Sequence, residues 1–121
     1  MIVANVLLAV IQACYDGDTC TVSIPNVHDI FGKDISVRIS KIDAPEINGR
    51  CQAEKEAAIR AKEYLQAHLP HGAIVQLLSP TRDKYFRINA DIQFGEWTAS
   101  TNLLASGLAR AYNGGKRESW C

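Results

Sequence analysis

No stretch of the 121 residues approaches the roughly 18 consecutive apolar positions that a membrane-spanning helix needs, so no membrane association is expected. Positive charge is not in excess either: 13 Lys and Arg balance 13 Asp and Glu. That balance weighs against a tight, non-specific grip on nucleic acid, which comes mainly from counterion release by clustered cations. There is no Cys-x-x-Cys pair and no His-rich tract among the four cysteines and three histidines, which argues against a zinc knuckle. Internal repeats, linkers and low-complexity segments are also missing. The apolar opening segment from Met1 to Ala13 lacks the positive start of an export signal and runs straight into Asp16. It reads as a strand, and no export signal is expected in this chain.

What is present fits one domain over residues 1–121, long enough to bury roughly two-thirds of the surface of the unfolded chain. Val6 to Ala13, then Asp16-Gly17, then Cys20, Val22 and Ile24 alternating with polar residues, reads as a β-hairpin turning at Asp-Gly. Ile35, Val37 and Ile39 alternate with Ser36, Arg38 and Ser40, giving a third strand whose polar face carries Arg38 and which Pro45 ends. From about Gln52 to Leu69, Ala57, Ala58, Ala61, Tyr64 and Leu65 recur at helical spacing. Ala73 to Leu78 is expected as a fourth strand, Ser79 to Tyr85 as a polar loop, and Arg87 to Phe94 as a fifth strand. Ser100 or Thr101 can cap a short helix that Gly107 ends, and Asn113 to Lys116 reads as a surface loop. Five short strands without strand–helix alternation fit a mainly β, α+β architecture: an OB-fold, five-stranded Greek-key barrel with two to three helices.

Three islands carry chemistry: Asp16-Gly17-Asp18-Thr19, Arg38 to Glu46, and Asp83 to Arg87. Asp18 and Asp43 lie at the ends of apolar runs, where their carboxylates can share a hard divalent cation. Calcium is the natural candidate for such oxygen donors. Glu46, three residues past Asp43 and stiffened by Pro45, can hold and deprotonate a water. Arg38 and Arg87 can clamp a phosphate from two sides, because a guanidinium matches phosphate oxygens bidentately. Simpler readings exist for each: turn chemistry for Asp16, Asp18 and Asp43, a solvated Glu46, and a salt bridge for Arg38.

Tyr15 to Thr19, Val37-Arg38, Ile42 to Glu46, Asp83 to Arg87, Gly107 to Ala109 and Tyr112, in that order, resemble the staphylococcal nuclease-like (thermonuclease) family across nearly the whole chain. Arg50-Cys51 and Gly114 to Cys121 resemble elements of its bacterial branches. The resemblance implies an OB-fold nuclease that uses calcium to cut DNA and RNA with little sequence preference, leaving 3′-phosphate ends. It implies Asp18, Asp43 and the backbone carbonyl of Ala44 as metal ligands, with Asp16 as a nearby carboxylate. It also implies Glu46 at the attacking water, Arg38 and Arg87 on the phosphate, and Lys84, Tyr85 and Tyr112 as nucleotide contacts. Two positions depart from the family pattern. Phe86 stands where Gly is usual, so a turn requiring positive φ would strain it, and no second aromatic follows Tyr112.

The cysteines are expected as buried thiols or disulfides. Cys20, on the apolar strand face, is most simply core. A two-residue Asp16-Gly17 loop sets Cys14 opposite Thr19, and only a three-residue loop would face it to Cys20. The joint presence of Cys51 and Cys121 suggests a bridge pinning the tail, and with it a secreted or periplasmic location. Two other functions compete with a nuclease: a non-catalytic OB-fold module binding nucleic acid or protein, and a domain that keeps its ligands for calcium-dependent stability alone. A monomer is expected.

Overall fold

The computed structural model describes residues 5–83 and 86–121. Strands β1 (Val6–Asp16) and β2 (Thr19–Ser23) form the expected antiparallel hairpin, but its turn is one residue further on. Asp16 pairs with Thr19, so Gly17 and Asp18 make the loop. The ladder shifts between Cys14 and Asp16, leaving Tyr15 as an extra residue on β1. That bulge supplies what a plain two-residue loop lacks: it sets Cys14 opposite Cys20, and the two form a disulfide. Cys20 is therefore core, as expected, but not a free thiol.

Strand β3 (Ile35–Ile39) pairs with β2, β5 (Ile74–Arg82) pairs with β1, and β6 (Ile88–Phe94) pairs with β5. A parallel pairing of β3 with β6 closes these five strands into a barrel of the OB type. Ala9, Ile11, Val22, Val37, Ile39, Leu77, Ala90 and Ile92 point inward and are fully buried, the period-two signature read from the sequence. Strand β5 runs to Arg82, through the segment expected to be a polar loop. Ser79 takes a φ of 51° and absorbs an irregularity after Leu78, and pairing with β6 resumes at Thr81.

Helix α2 (Gln52–His68) packs on β1 through Ala58, Ala61 and Leu65. It follows α1 (Asp29–Gly32), a single turn capped by His28 Nδ1, and β4 (Ile42–Asp43). The hairpin turn meets α2 so closely that a Cβ on Gly17 would lie 2.7 Å from the Ala61 Cβ and 2.9 Å from the Ala44 Cβ. Glycine is needed there for the close approach, which presses Asp16 and Asp18 toward the segment that carries Asp43 and Glu46.

After β7 (Trp97–Thr98), helix α3 (Ala99–Ala105) starts without a side-chain cap from its own Thr98. One of its first amides is served by Asp91 of β6 instead: Ser100 N donates to Asp91 Oδ1 at 3.0 Å, and the Ser100 hydroxyl donates to Oδ2. The pair is almost fully buried. Ser100→Ala is therefore expected to cost about 1–3 kcal/mol in a thermal melt, by stranding a buried carboxylate oxygen. Finally β8 (Arg110–Ala111) pairs antiparallel with β4, placing Arg110 across from Asp43.

Candidate active site

The β2–β3 register sets Arg38 opposite Thr19, beside the hairpin turn. Arg38 Nη2 lies 3.5 Å from Asp18 Oδ2 and 3.8 Å from Asp43 Oδ1, so one nitrogen is shared by both carboxylates. Its Nη1 donates to the Ile39 carbonyl at 2.9 Å, and the guanidinium sits 5.9 Å from the Tyr112 ring centroid. Asp18 is held in place by the Ala44 amide, which donates to Oδ2 at 3.2 Å, and by the Thr19 hydroxyl at 3.1 Å. Asp16 turns inward as well, its Oδ1 accepting from the Asp18 amide. Asp18 and Asp43, 25 positions apart in the sequence, are thus brought to one guanidinium.

Three carboxylates in so small a volume are poorly compensated. Burial, and then the neighbouring Asp16 carboxylate, push the Asp18 pKa up to about 6 from 3.8, against the pull of Arg38 and the Ala44 amide. Between these values the folded chain binds more protons than the unfolded one. Stability without added cation is therefore expected to be greatest below pH 4 as far as this group is concerned, and to be lost as pH rises through about 6. Urea titrations across that range should show the slope, and Asp18→Asn should flatten it. Asp43 is 3% exposed, and its Oδ1 accepts no well-formed hydrogen bond among the described residues, although Arg117 Nη2 is 2.7 Å away. Clustered carboxylate oxygens of this kind are hard donors that suit a hard cation. Among the described residues, no group of three or more His, Cys, Asp or Glu side chains is arranged so that it could hold a metal ion by itself.

Arg87 arrives from the other side, at the start of β6. Asp83 grips it twice: Oδ2 accepts from Arg87 Nε at 2.8 Å, and Oδ1 accepts from its backbone amide at 3.0 Å. The Asp83 carboxylate thereby orients the guanidinium, a role the sequence shows only as an acid four residues before an Arg. Between them Phe86 adopts a φ of 67°, the left-handed conformation anticipated from its replacing a usual Gly. Its exposed ring lies 4.3 Å from the Arg82 guanidinium. Lys84 and Tyr85, expected as nucleotide contacts, lie outside the described residues. Tyr112 is half-buried rather than core. Its hydroxyl donates to the Gly115 carbonyl at 2.7 Å.

Asp16, Asp18, Arg38, Glu46, Asp83, Arg87 and Tyr112 line one open cleft of about 790 Å³. Glu46 enters it from an exposed loop whose backbone is fixed from below by Glu54, in the first turn of α2. Glu54 Oε2 accepts from the Glu46 amide and Oε1 from the Arg50 amide, both at 3.1 Å. Those two hydrogen bonds, Arg50's first, hold the Glu54 carboxyl below its usual range. Gly49 is required beside it, since a Cβ there would collide with the Glu54 side chain.

The cleft also contains Arg117, which the sequence offers only within the segment Gly114 to Cys121. Asn113 to Lys116 form the expected exposed loop, but the chain beyond them is anchored. Cys121 forms a disulfide with Cys51 at the start of α2, with a Cα separation of 6.0 Å. Arg117 bridges Glu46 Oε1 and Asp43 Oδ1 at 2.7 Å each. Its bond to Glu46 and its pairing with Asp43 outweigh burial and drive its pKa further upward. The only sequence signal for this arrangement is the pairing of Cys51 with Cys121.

A family model described as staphylococcal nuclease homologue matches residues 36–119. A probable endonuclease of Schizosaccharomyces pombe is 32% identical over 93 residues, an alignment covering 71% of this chain and 40% of that protein. The chain thus spans well under half the length of that relative. No helix among the described residues is long and apolar enough to cross a membrane. With the family match running from β3 into the tail and taking in Arg38, Asp43, Glu46, Arg87 and Tyr112, this chain belongs to the staphylococcal nuclease homologue family.

Proposed function

We propose that this domain is a calcium-dependent nuclease that hydrolyses DNA and RNA with little sequence preference, leaving 3′-phosphate ends. Family membership and the likeness to a probable endonuclease support the nuclease class. The observation that carries the detailed reading is that two guanidiniums, Arg38 on β3 and Arg87 just before β6, and a cluster of carboxylates border the same cleft.

Asp18, Asp43 and the Ala44 carbonyl would hold the cation, with Asp16 alongside. A bound calcium ion supplies positive charge against a phosphate that grows more negative as it reacts. Glu46 takes a proton from the attacking water as its oxygen bonds to phosphorus. The bond from phosphorus to the 5′ oxygen breaks, that oxygen leaves with a proton from solvent, and the phosphate stays on the 3′ side. Arg38 and Arg87 donate to the phosphate oxygens from opposite sides, with Asp83 aiming the second. The Tyr112 ring offers a nucleobase a stacking face, which tolerates any base because every base has one. Lys84 and Tyr85 are proposed as further contacts to the substrate's terminal phosphate and sugar. The two disulfides favour an oxidising compartment, secreted or periplasmic, and the domain is proposed to act as a monomer.

Purified protein incubated with circular DNA, single-stranded DNA and RNA is expected to cleave all three with calcium and none with excess chelator. The DNA ends should resist polymerase extension until a phosphatase removes the 3′ phosphate. Binding without cleavage would instead mark a non-catalytic module. A rise in melting temperature with calcium but no turnover would mark a cation used for stability alone.

A further inference from the structure

Residues 113–121 form no helix or strand, yet they are firmly built onto the site. Arg110 Nη1 donates to the Ser119 carbonyl at 2.9 Å, and its guanidinium lies 3.8 Å from the Trp120 ring centroid. Trp120 Nε1 donates in turn to Asp43 Oδ2 at 3.3 Å. Cys121 is then bonded to Cys51, beside the helix turn from which Glu54 holds the Glu46 backbone. The product of these contacts is one guanidinium fixed between two carboxylates, 2.7 Å from each.

A proton acceptor must sit within about 3 Å of its water, and small displacements are costly. Glu54 secures the Glu46 main chain but leaves its side chain, 53% exposed, free to change rotamer. An Arg on a loose tail would restrain it little, since an exposed ion pair is worth at most about 1 kcal/mol after its own ordering cost. An Arg on a tail already tied down by a disulfide loses less freedom and restrains more.

We propose that Arg117 is a positioning residue for Glu46, and that the Cys51–Cys121 disulfide serves to deliver it to the cleft. The inference rests on the nuclease reading above. Arg117 does not touch the reacting atoms. It holds the Glu46 carboxylate at a set distance from Asp43, so that the base and the cation-binding carboxylates share one geometry.

The test compares wild type, Arg117→Gln, Arg117→Lys and the double variant Cys51→Ser/Cys121→Ser, all with calcium and single-stranded DNA. Arg117→Gln is expected to lower kcat roughly 10- to 100-fold, with KM and the calcium midpoint changed less than about threefold when read at a temperature where the variant is fully folded. Lys should recover only part of the loss, because its one nitrogen replaces the two with which Arg117 reaches Asp43 and Glu46 separately. In the double variant, adding Arg117→Gln should change kcat less than about threefold, the non-additivity expected of residues acting through one another. A wild-type kcat in Arg117→Gln overturns the inference. So does a raised kcat with a lower calcium midpoint, which would make the tail a plug competing with the cation. If wild type cleaves and Glu46→Gln does not, either result sinks this inference alone. If wild type fails to cleave, the nuclease reading falls and takes the inference with it.

Discussion

Glu46→Gln is expected to lower kcat by about 10²- to 10⁴-fold, the usual contribution of a positioned general base. The amide keeps the shape and a carbonyl oxygen for Arg117 but cannot take a proton. The fold should be indifferent, since the Glu46 side chain is 53% exposed and its ion pair with Arg117 is partly solvated. Single-turnover cleavage beside a thermal melt checks both halves. A kcat within threefold of wild type would remove Glu46 from the chemistry. Arg38→Ala and Arg87→Ala belong to the same experiment, with losses of about 10²- to 10³-fold, because each deletes a donor aimed at charge that develops in the transition state. Asp83→Ala should reproduce a part of the Arg87 loss, since it removes the group that aims the guanidinium without removing the guanidinium.

The largest effect on stability should come from the tail bridge. Cys51 and Cys121 are separated by 70 positions, whereas Cys14 and Cys20 are separated by 6. In the chain-entropy account, the long loop contributes about 4 kcal/mol and the short one about 2 kcal/mol, because closing a longer loop removes more freedom from the unfolded chain. Cys51→Ser/Cys121→Ser should therefore lower the melting temperature by about 12–20 °C, and Cys14→Ser/Cys20→Ser by roughly half as much. Equal shifts, or the reverse order, would show that the ends of the loop are held by other contacts. The same double variant loses the tether that carries Arg117, so the stability result fixes a temperature at which its kinetics can be read from folded protein.

Particular elements show what pattern reasoning can reach. Alternation in Ile35 to Ile39 and the helical spacing from Ala57 to Leu65 gave strand and helix correctly, since both are local periodicities of single segments. The hairpin was legible but its register was not. The bulge at Tyr15 moves the turn by one residue and turns Cys14 toward Cys20, and nothing in the local sequence distinguishes that from a plain Asp-Gly loop. The start of α3 was misassigned to its own Ser or Thr because the capping carboxylate, Asp91, comes from another strand. Strand β8 is too short to carry a period and exists only through its pairing with β4. Phe86 was legible as a problem, and the structure meets it by accepting the positive φ.

From the order of its residues alone, this protein's fold class, its long helix and its three chemistry-bearing islands follow, because periodicity and turn chemistry act over a few residues and the islands are contiguous. The convergence of those islands, the aiming of Arg87 by Asp83 and the entry of Arg117 between Asp43 and Glu46 belong to the tertiary structure. They depend on barrel closure and on a disulfide between Cys51 and Cys121, whose contacts span most of the chain and leave no periodic trace along it.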